Sequence, residues 1–315
     1  MIHFRYHLVS LIAVFLALAI GVAMGATVIN SAVVDALRSQ VSSAERRADN
    51  VKRENDQLKN DRAQASAFVN AVADDLVSGR LTGQRVQFVV ADGLDGDAVD
   101  DLVKSVSTAG GTVSSILWLT EDSTSNAGRT ALRSIVGGTD PKRLWSAVVD
   151  ELTAAEVAPS ETSQQSDPTT STAAAATGVI DQLVTAGVFR RSEVPAASGT
   201  GPVDVVVFLD GPASKVTGES SVANAAKYAT KTDLITVVGE LWATQSNDET
   251  AQVGGTLAAI RNDERLRKRI ATVDSLDRPE VRALLVLVTE AAIGGRIGQY
   301  GYGLGARDGV VPEHA

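Results

Sequence analysis

The sequence predicts an α/β protein carried on a membrane-spanning helix, and three observations predict it. A charge-free run, Leu8–Ile29, is followed without a break by a heptad-patterned helix. Beyond Gly79 the heptads give way to short apolar strands alternating with helical segments. That alternation implies a mostly parallel, Rossmann-like sheet with helices on both faces. The expected organisation is residues 1–7 as a cytoplasmic N-terminus, 8–29 as a transmembrane helix and 31–78 as a coiled coil. There follow a first α/β half at 83–157, a flexible linker or loop at 158–175, a second half at 176–293 and a Gly/Tyr-rich tail at 294–315.

Leu8–Ile29 carries no charge, and as a helix it rises ~33 Å, enough for a hydrocarbon core of ~30 Å. A cleaved secretory signal is the alternative, since Ala23-Met24-Gly25-Ala26 could serve as a cleavage site. Signal cores run ~7–15 residues, however, and this run is longer. Arg5 precedes the span and Asp35 is the first charge after it, so the positive-inside bias puts the bulk of the chain outside the cytoplasm. Gly21 and Gly25 form a GxxxG step that lets two membrane helices approach closely.

In the heptads, Val34, Val41, Ala48, Asn55, Arg62, Val69 and Leu76 occupy a positions. Leu37, Ala44, Val51, Leu58, Ala65 and Val72 occupy d positions. A period of 3.5 held over six heptads, with no Pro or Gly, favours a supercoiled seam over a helix packed on its own domain. Asn55 at an a position is a register-setting, two-strand device. The expected assembly is a parallel homodimer held through Gly21, Gly25, Val34, Leu37, Val41, Val51, Asn55 and Leu58.

The net charge of −9 and pI of about 4.9 argue against nucleic acid, which calls for a basic face. There is no cysteine, which excludes disulfides and thiolate chemistry. Soft copper(I) sites want Cys or Met clusters, and the only methionines are Met1 and Met24. His3 and His7, at i and i+4, are the metal candidates. His3 could also hold copper(II) in a square with the terminal amine and two amides. The third histidine is His314.

In the outer region, strands are expected at Arg85–Ala91, Thr112–Leu119, Val203–Leu209, Leu234–Val238 and Arg269–Val273. Helices are expected at Asp97–Ala109, Pro141–Glu156, Ala173–Phe189, Val216–Ala229, Ala251–Asn262 and Arg278–Ile293. The strands end in Asp92, Asp210, Glu240 and Asp274, at the place where parallel sheets bind ligands. These four make a possible ligand crevice; the competing reading is that such residues cap helices and turns. No Lys, Ser or His beside them forms a nucleophile pattern, so no catalytic or cofactor-binding residue is expected. Gly294 to Gly305 reads either as a flexible tail or as a docking strip presenting Tyr300 and Tyr302 to a partner.

The opening Met1-Ile-His-Phe-Arg-Tyr-His-Leu-Val-Ser, the coiled coil, the Asp-Gly strand ends and Gly298-Gln-Tyr-Gly-Tyr-Gly303 together resemble the actinobacterial copper-transport family usually labelled MctB. The resemblance spans the chain. It implies a single-pass envelope protein linked to copper efflux and homeostasis, and with no nucleophile pattern in the chain no enzyme activity is expected. It also implies, through members linked to cell separation, a membrane partner resembling a thiamin pyrophosphokinase and influence on a peptidoglycan hydrolase.

Overall fold

The computed structural model describes residues 2–154, 178–192, 194, 202–216, 222–232, 234–241, 255–278, 281–303 and 305–313. The linker expected at 158–175 and His314 lie outside them, and so does the side chain of His3. Contacts divide the chain into two units, residues 1–65 and 66–315.

Helix α1 runs from Ile2 to Val77. Nothing in that stretch interrupts it, because it has no proline and its two glycines fall inside the apolar segment. Serines are accommodated by bonding back to the preceding turn: the Ser43 hydroxyl donates to the Ser39 carbonyl at 2.8 Å. Within the first unit, Phe4–Gly25 is long and apolar enough to cross a membrane, and none of it is buried. A Cβ placed on Gly21 or Gly25 would meet nothing within 4 Å, so the small-residue face is open. Farther along, Leu37, Val41, Val51 and Leu58 are all more than half exposed. A row of exposed Leu and Val at heptad spacing leaves apolar surface that no other described residue of the first unit covers.

The second unit begins with the last turns of α1, where Ala73 and Val77 pack into its core. Gly79, at φ +76°, ends the helix in the left-handed conformation that glycine adopts without penalty. Seven strands then form one sheet: β1 (Arg85–Ala91), β2 (Thr112–Leu119), β3 (Phe189–Ser192), β4 (Val205–Asp210), β5 (Ile235–Glu240), β6 (Ile270–Val273) and β7 (Gln299–Tyr300). Their order is β3-β2-β1-β4-β5-β6-β7. Only β3 runs antiparallel to its neighbour; every other pair is parallel.

The other α-helices among the described residues are α2 (Gly96–Thr108), α3 (Asn126–Ile135), α4 (Pro141–Thr153), α5 (Val179–Thr185), α6 (Val222–Ala229), α7 (Gly255–Asn262) and α8 (Arg282–Ile293). Helices α2 and α8 pack together, while α3 to α7 form a separate connected set. The sheet is covered on both sides, which is why β4 and β6 are buried at every position and β4 reads as an apolar run up to Asp210. Caps set the helix starts: Asp95 accepts from the Asp97 amide, and Asp140 accepts from the Lys142 amide with Pro141 at the first position. Ion pairs then tie elements together, Arg80 to Glu290 of α8 at 2.7 Å and Arg282 of α8 to Asp101 of α2.

The two halves join in one continuous sheet, in which β3 from the second pairs with β2 of the first. Two expectations need correction. The helix expected over Ala173–Phe189 ends at Thr185 where described, and Phe189 opens a strand instead. Gly187, at φ +77°, turns the chain between them. The Gly/Tyr-rich segment is not a tail: Gln299–Tyr300 is the seventh strand, and the Asp308 amide donates back to the Gln299 carbonyl across its outer edge. Helix α3 was not anticipated either. Ser125 caps it, and its apolar stripe (Ala131, Leu132, Ile135) is short.

Candidate functional site

Because β1, β4, β5 and β6 are parallel neighbours, their carboxyl ends bring Asp92, Asp210, Glu240 and Asp274 to one end of the sheet, as the spacing predicts. Asp210 and Glu240 are direct register partners. The four nevertheless differ in environment, and the differences decide what each can do.

Asp92 is the most open. Arg190 of β3 lies 3.7 Å from its carboxylate, and the same guanidinium sits 4.6 Å from the centre of the Trp118 ring. The gap between β1 and β4, where the chain reverses its direction of travel through the sheet, is the usual ligand crevice of such folds. Here the chain itself fills it. The Lys215 amide donates to the Asp92 carbonyl at 2.8 Å, and Leu94 and Val216 are buried. A Cβ on Gly93 (φ +98°) would strike the Ala213 carbonyl, and one on Gly211 would strike that of Leu241.

Asp210 is 7% exposed and Glu240 1%. The Thr256 hydroxyl and the Gly211 amide donate to Asp210. Burial nevertheless raises its carboxyl above the ordinary 3.8, with the bonds from Thr256, Gly211 and Ser214 opposing that rise. A carboxyl raised on folding contributes stability that is complete below the unfolded value and is lost as pH climbs through the folded one. The Asp210→Asn variant should therefore match the parent chain near pH 4 and melt at higher temperature at pH 7. Thermal unfolding across pH 4–8 measures this, and an unchanged difference between variant and parent across that range would refute it.

Asp274 serves the fold rather than a ligand. It is fully buried, pairs with Arg261 of α7 at 2.8 Å, and accepts from the Ser275 hydroxyl at 3.0 Å. It also accepts from the amides of Tyr302 at 2.7 Å and Gly303 at 3.0 Å. Arg261 extends the network, donating to the Thr272 hydroxyl at 3.0 Å and the Tyr300 carbonyl at 2.7 Å. Gln299 accepts from Thr272 at 2.8 Å and gives its amide protons to the carbonyls of Arg267 and Ile270. The Asp274 carboxylate thus accepts from Arg261, from the Ser275 hydroxyl and from the Tyr302 and Gly303 amides. Its place in a ligand crevice is corrected accordingly.

The same network corrects half of the docking strip. Tyr300 is 6% exposed, and burial raises its hydroxyl pKa above 10. Its ring packs in the core, out of a partner's reach. Tyr302 remains 55% exposed, with the Arg278 guanidinium 5.3 Å from its ring centre. Gly301, at φ +128°, holds the turn between them, and a Cβ there would strike the Asp274 carboxylate. Sequence reasoning missed Arg261, Thr272 and Gln299. The available signals were an arginine directly after Leu257 and Ile260 on an apolar helix face, and glycines alternating with tyrosines opposite a strand-end carboxylate.

Among the described residues, no group of three or more His, Asp or Glu side chains could hold a metal ion. His7 lies exposed on α1. Because α1 begins at Ile2, the amides of residues 2 and 3 align along the helix axis rather than converging on a square. A cavity of about 590 Å³ lies at the opposite, amino end of the strands, lined by Gln84, Thr153, Asp204 and Leu234 among others.

An apolar N-terminal helix of bilayer length and an α/β domain whose strand-end acids largely serve its own turns define a membrane-associated α/β protein. Over residues 1–312 the chain matches the family described as "Copper transport outer membrane protein, MctB", and it belongs to that family. It is similar to the copper transporter MctB of Mycobacterium bovis and to that of Mycobacterium tuberculosis. Each is 27% identical over 329 residues, spanning 99% of this chain and the whole of the relative.

Proposed function

We propose that this protein is a single-pass, dimeric envelope component of copper homeostasis, with its N-terminus in the cytoplasm and its Rossmann-like α/β domain outside. The observation that carries the reading is the match to a copper-transport family along the entire chain. The chain holds no cysteine and two methionines, so the α/β domain offers copper no soft-ligand cluster. It therefore acts through a membrane or wall partner, as a non-catalytic platform, rather than by conducting the ion itself. Among the described residues one helix is long and apolar enough to cross a membrane, and a single such helix without a polar face makes no pore. Deleting the gene should lower copper tolerance, and the parent chain should restore it. If tolerance is unchanged while daughter cells remain joined, the cell-separation reading replaces this one.

The dimer in this proposal is a parallel coiled coil along α1, supported by the exposed heptad positions Leu37, Val41, Val51 and Leu58. The cysteine-free chain makes a direct test simple. At the d position, Leu58→Cys should cross-link to a disulfide dimer under mild oxidation in membranes, whereas Asn60→Cys, on the outer f position, should stay monomeric on the same gel. Equal cross-linking of both would remove the seam.

A further inference from the structure

We propose that the cavity at the amino ends of β1, β4 and β5 binds a small organic cation, an aliphatic primary ammonium. The charge of its lining, the hydrogen bonds still open there and its size carry the inference, independently of the copper reading. Asp204 is the only charged side chain among the described residues that line the cavity. One of its carboxylate oxygens accepts from the Arg85 amide at 2.9 Å, and no hydrogen bond or ion pair among the described residues engages the other. Thr153, the last residue of α4, also lines the cavity, and the carboxyl end of that 13-residue helix carries a partial negative charge. Both features favour a cation.

Hydrogen bonding selects among cations. The Thr232 hydroxyl donates to the Ala229 carbonyl at 2.7 Å, and the Thr153 hydroxyl donates to the Val149 or the Asp150 carbonyl, each at 3.0 Å. Both hydroxyl protons are therefore spent on backbone. The amides of Val203, Asp204 and Ile235 are spent on the carbonyls of Leu152, Arg85 and Asp204, and that of Leu234 on the Thr232 hydroxyl. Acceptors dominate what is left: the second Asp204 oxygen, the Gln84 side-chain carbonyl and the Thr153 hydroxyl oxygen. The Gln84 amide is the one side-chain donor still open among the described lining residues. An ammonium group brings three donors and no acceptor, so it complements this surface where an anion does not. A hard divalent ion calls for several carboxylate oxygens, and these walls supply a single open one. At about 590 Å³ the space suits a small molecule, and Val203, Leu234 and Ile235 give its hydrocarbon an apolar wall.

The test titrates butylammonium, butanol and butyrate into the full chain held in phosphatidylcholine nanodiscs, with empty nanodiscs subtracted. Butylammonium should bind about ten-fold or more tightly than butanol, the usual worth of a hydrogen bond to a charged group, and butyrate should not bind. Methylammonium should bind several-fold more weakly than butylammonium, for want of methylenes to bury. Asp204→Asn, whose side-chain oxygen can still accept from the Arg85 amide, should lose about ten-fold in affinity for butylammonium. Thr153→Trp, which fills the cavity from the end of α4, should abolish binding, and the circular dichroism spectra of both variants should match the parent. Should Asp204→Asn fail to fold, Thr153→Trp and the ligand series still decide. Equal affinity for butylammonium and butanol, undiminished binding by either folded variant, or a preference for butyrate would each overturn the proposal. So would binding of none of these probes, or capture of poly-lysine with the free amines excluded.

Discussion

Asp274→Ala should destabilise the α/β domain by about 3–5 kcal/mol, the usual cost of removing one partner from a buried ion pair. The loss exceeds that of the pair alone. Arg261, 2% exposed, would keep its charge in the core, and the Tyr302 and Gly303 amides would lose their acceptor. Hydrogen exchange should show residues 299–303 opening first, because their strand is two residues long and depends on this anchor. Gly301→Ala should act in the same direction, since its Cβ would meet the Asp274 carboxylate and its backbone lies at φ +128°. If urea denaturation showed Asp274→Ala within 1 kcal/mol of the parent, the clamp described here would be wrong.

Trp145→Ala should cost a similar amount, about 3–5 kcal/mol, through lost burial and the cavity left behind. Trp145 on α4 is fully buried and meets two rings edge-on, Phe189 of β3 at 5.8 Å and Phe208 of β4 at 6.4 Å. It thereby joins the antiparallel edge strand to the centre of the sheet. Its indole nitrogen has no hydrogen-bond partner among the described residues. The stabilisation is therefore one of shape and apolar area, and Trp145→Phe should cost much less than Trp145→Ala. Calorimetry of the two variants separates the readings, since equal losses would point to an essential polar contact at the indole.

Much of this architecture was legible beforehand because its signals are local. The strands at 85–91 and 205–210 announce themselves as apolar runs closed by Asp-Gly, that at 112–119 by its apolar second half, and α4 by Asp140 followed by Pro141. The strands β3 and β7 gave no such signal. Phe189-Arg-Arg-Ser192 is half charged, and Gln299-Tyr300 is flanked by glycines. Each is a strand only because a neighbouring strand supplies its hydrogen bonds. The candidate site divides in the same way. The carboxylates could be named from their positions after strands, whereas their partners, Thr256 for Asp210 and Arg261 for Asp274, come from helix α7.

The sequence by itself determined the bilayer-length apolar helix, the heptad continuation and the α/β class, since each depends on periodicity and composition within a few turns or strands. The tertiary structure alone decided what the strand-end acids do. Only folding brings the chain between Gly211 and Val216 across Asp92 and Arg261 against Asp274, and a carboxylate is a ligand site or a structural clamp according to which donors reach it first.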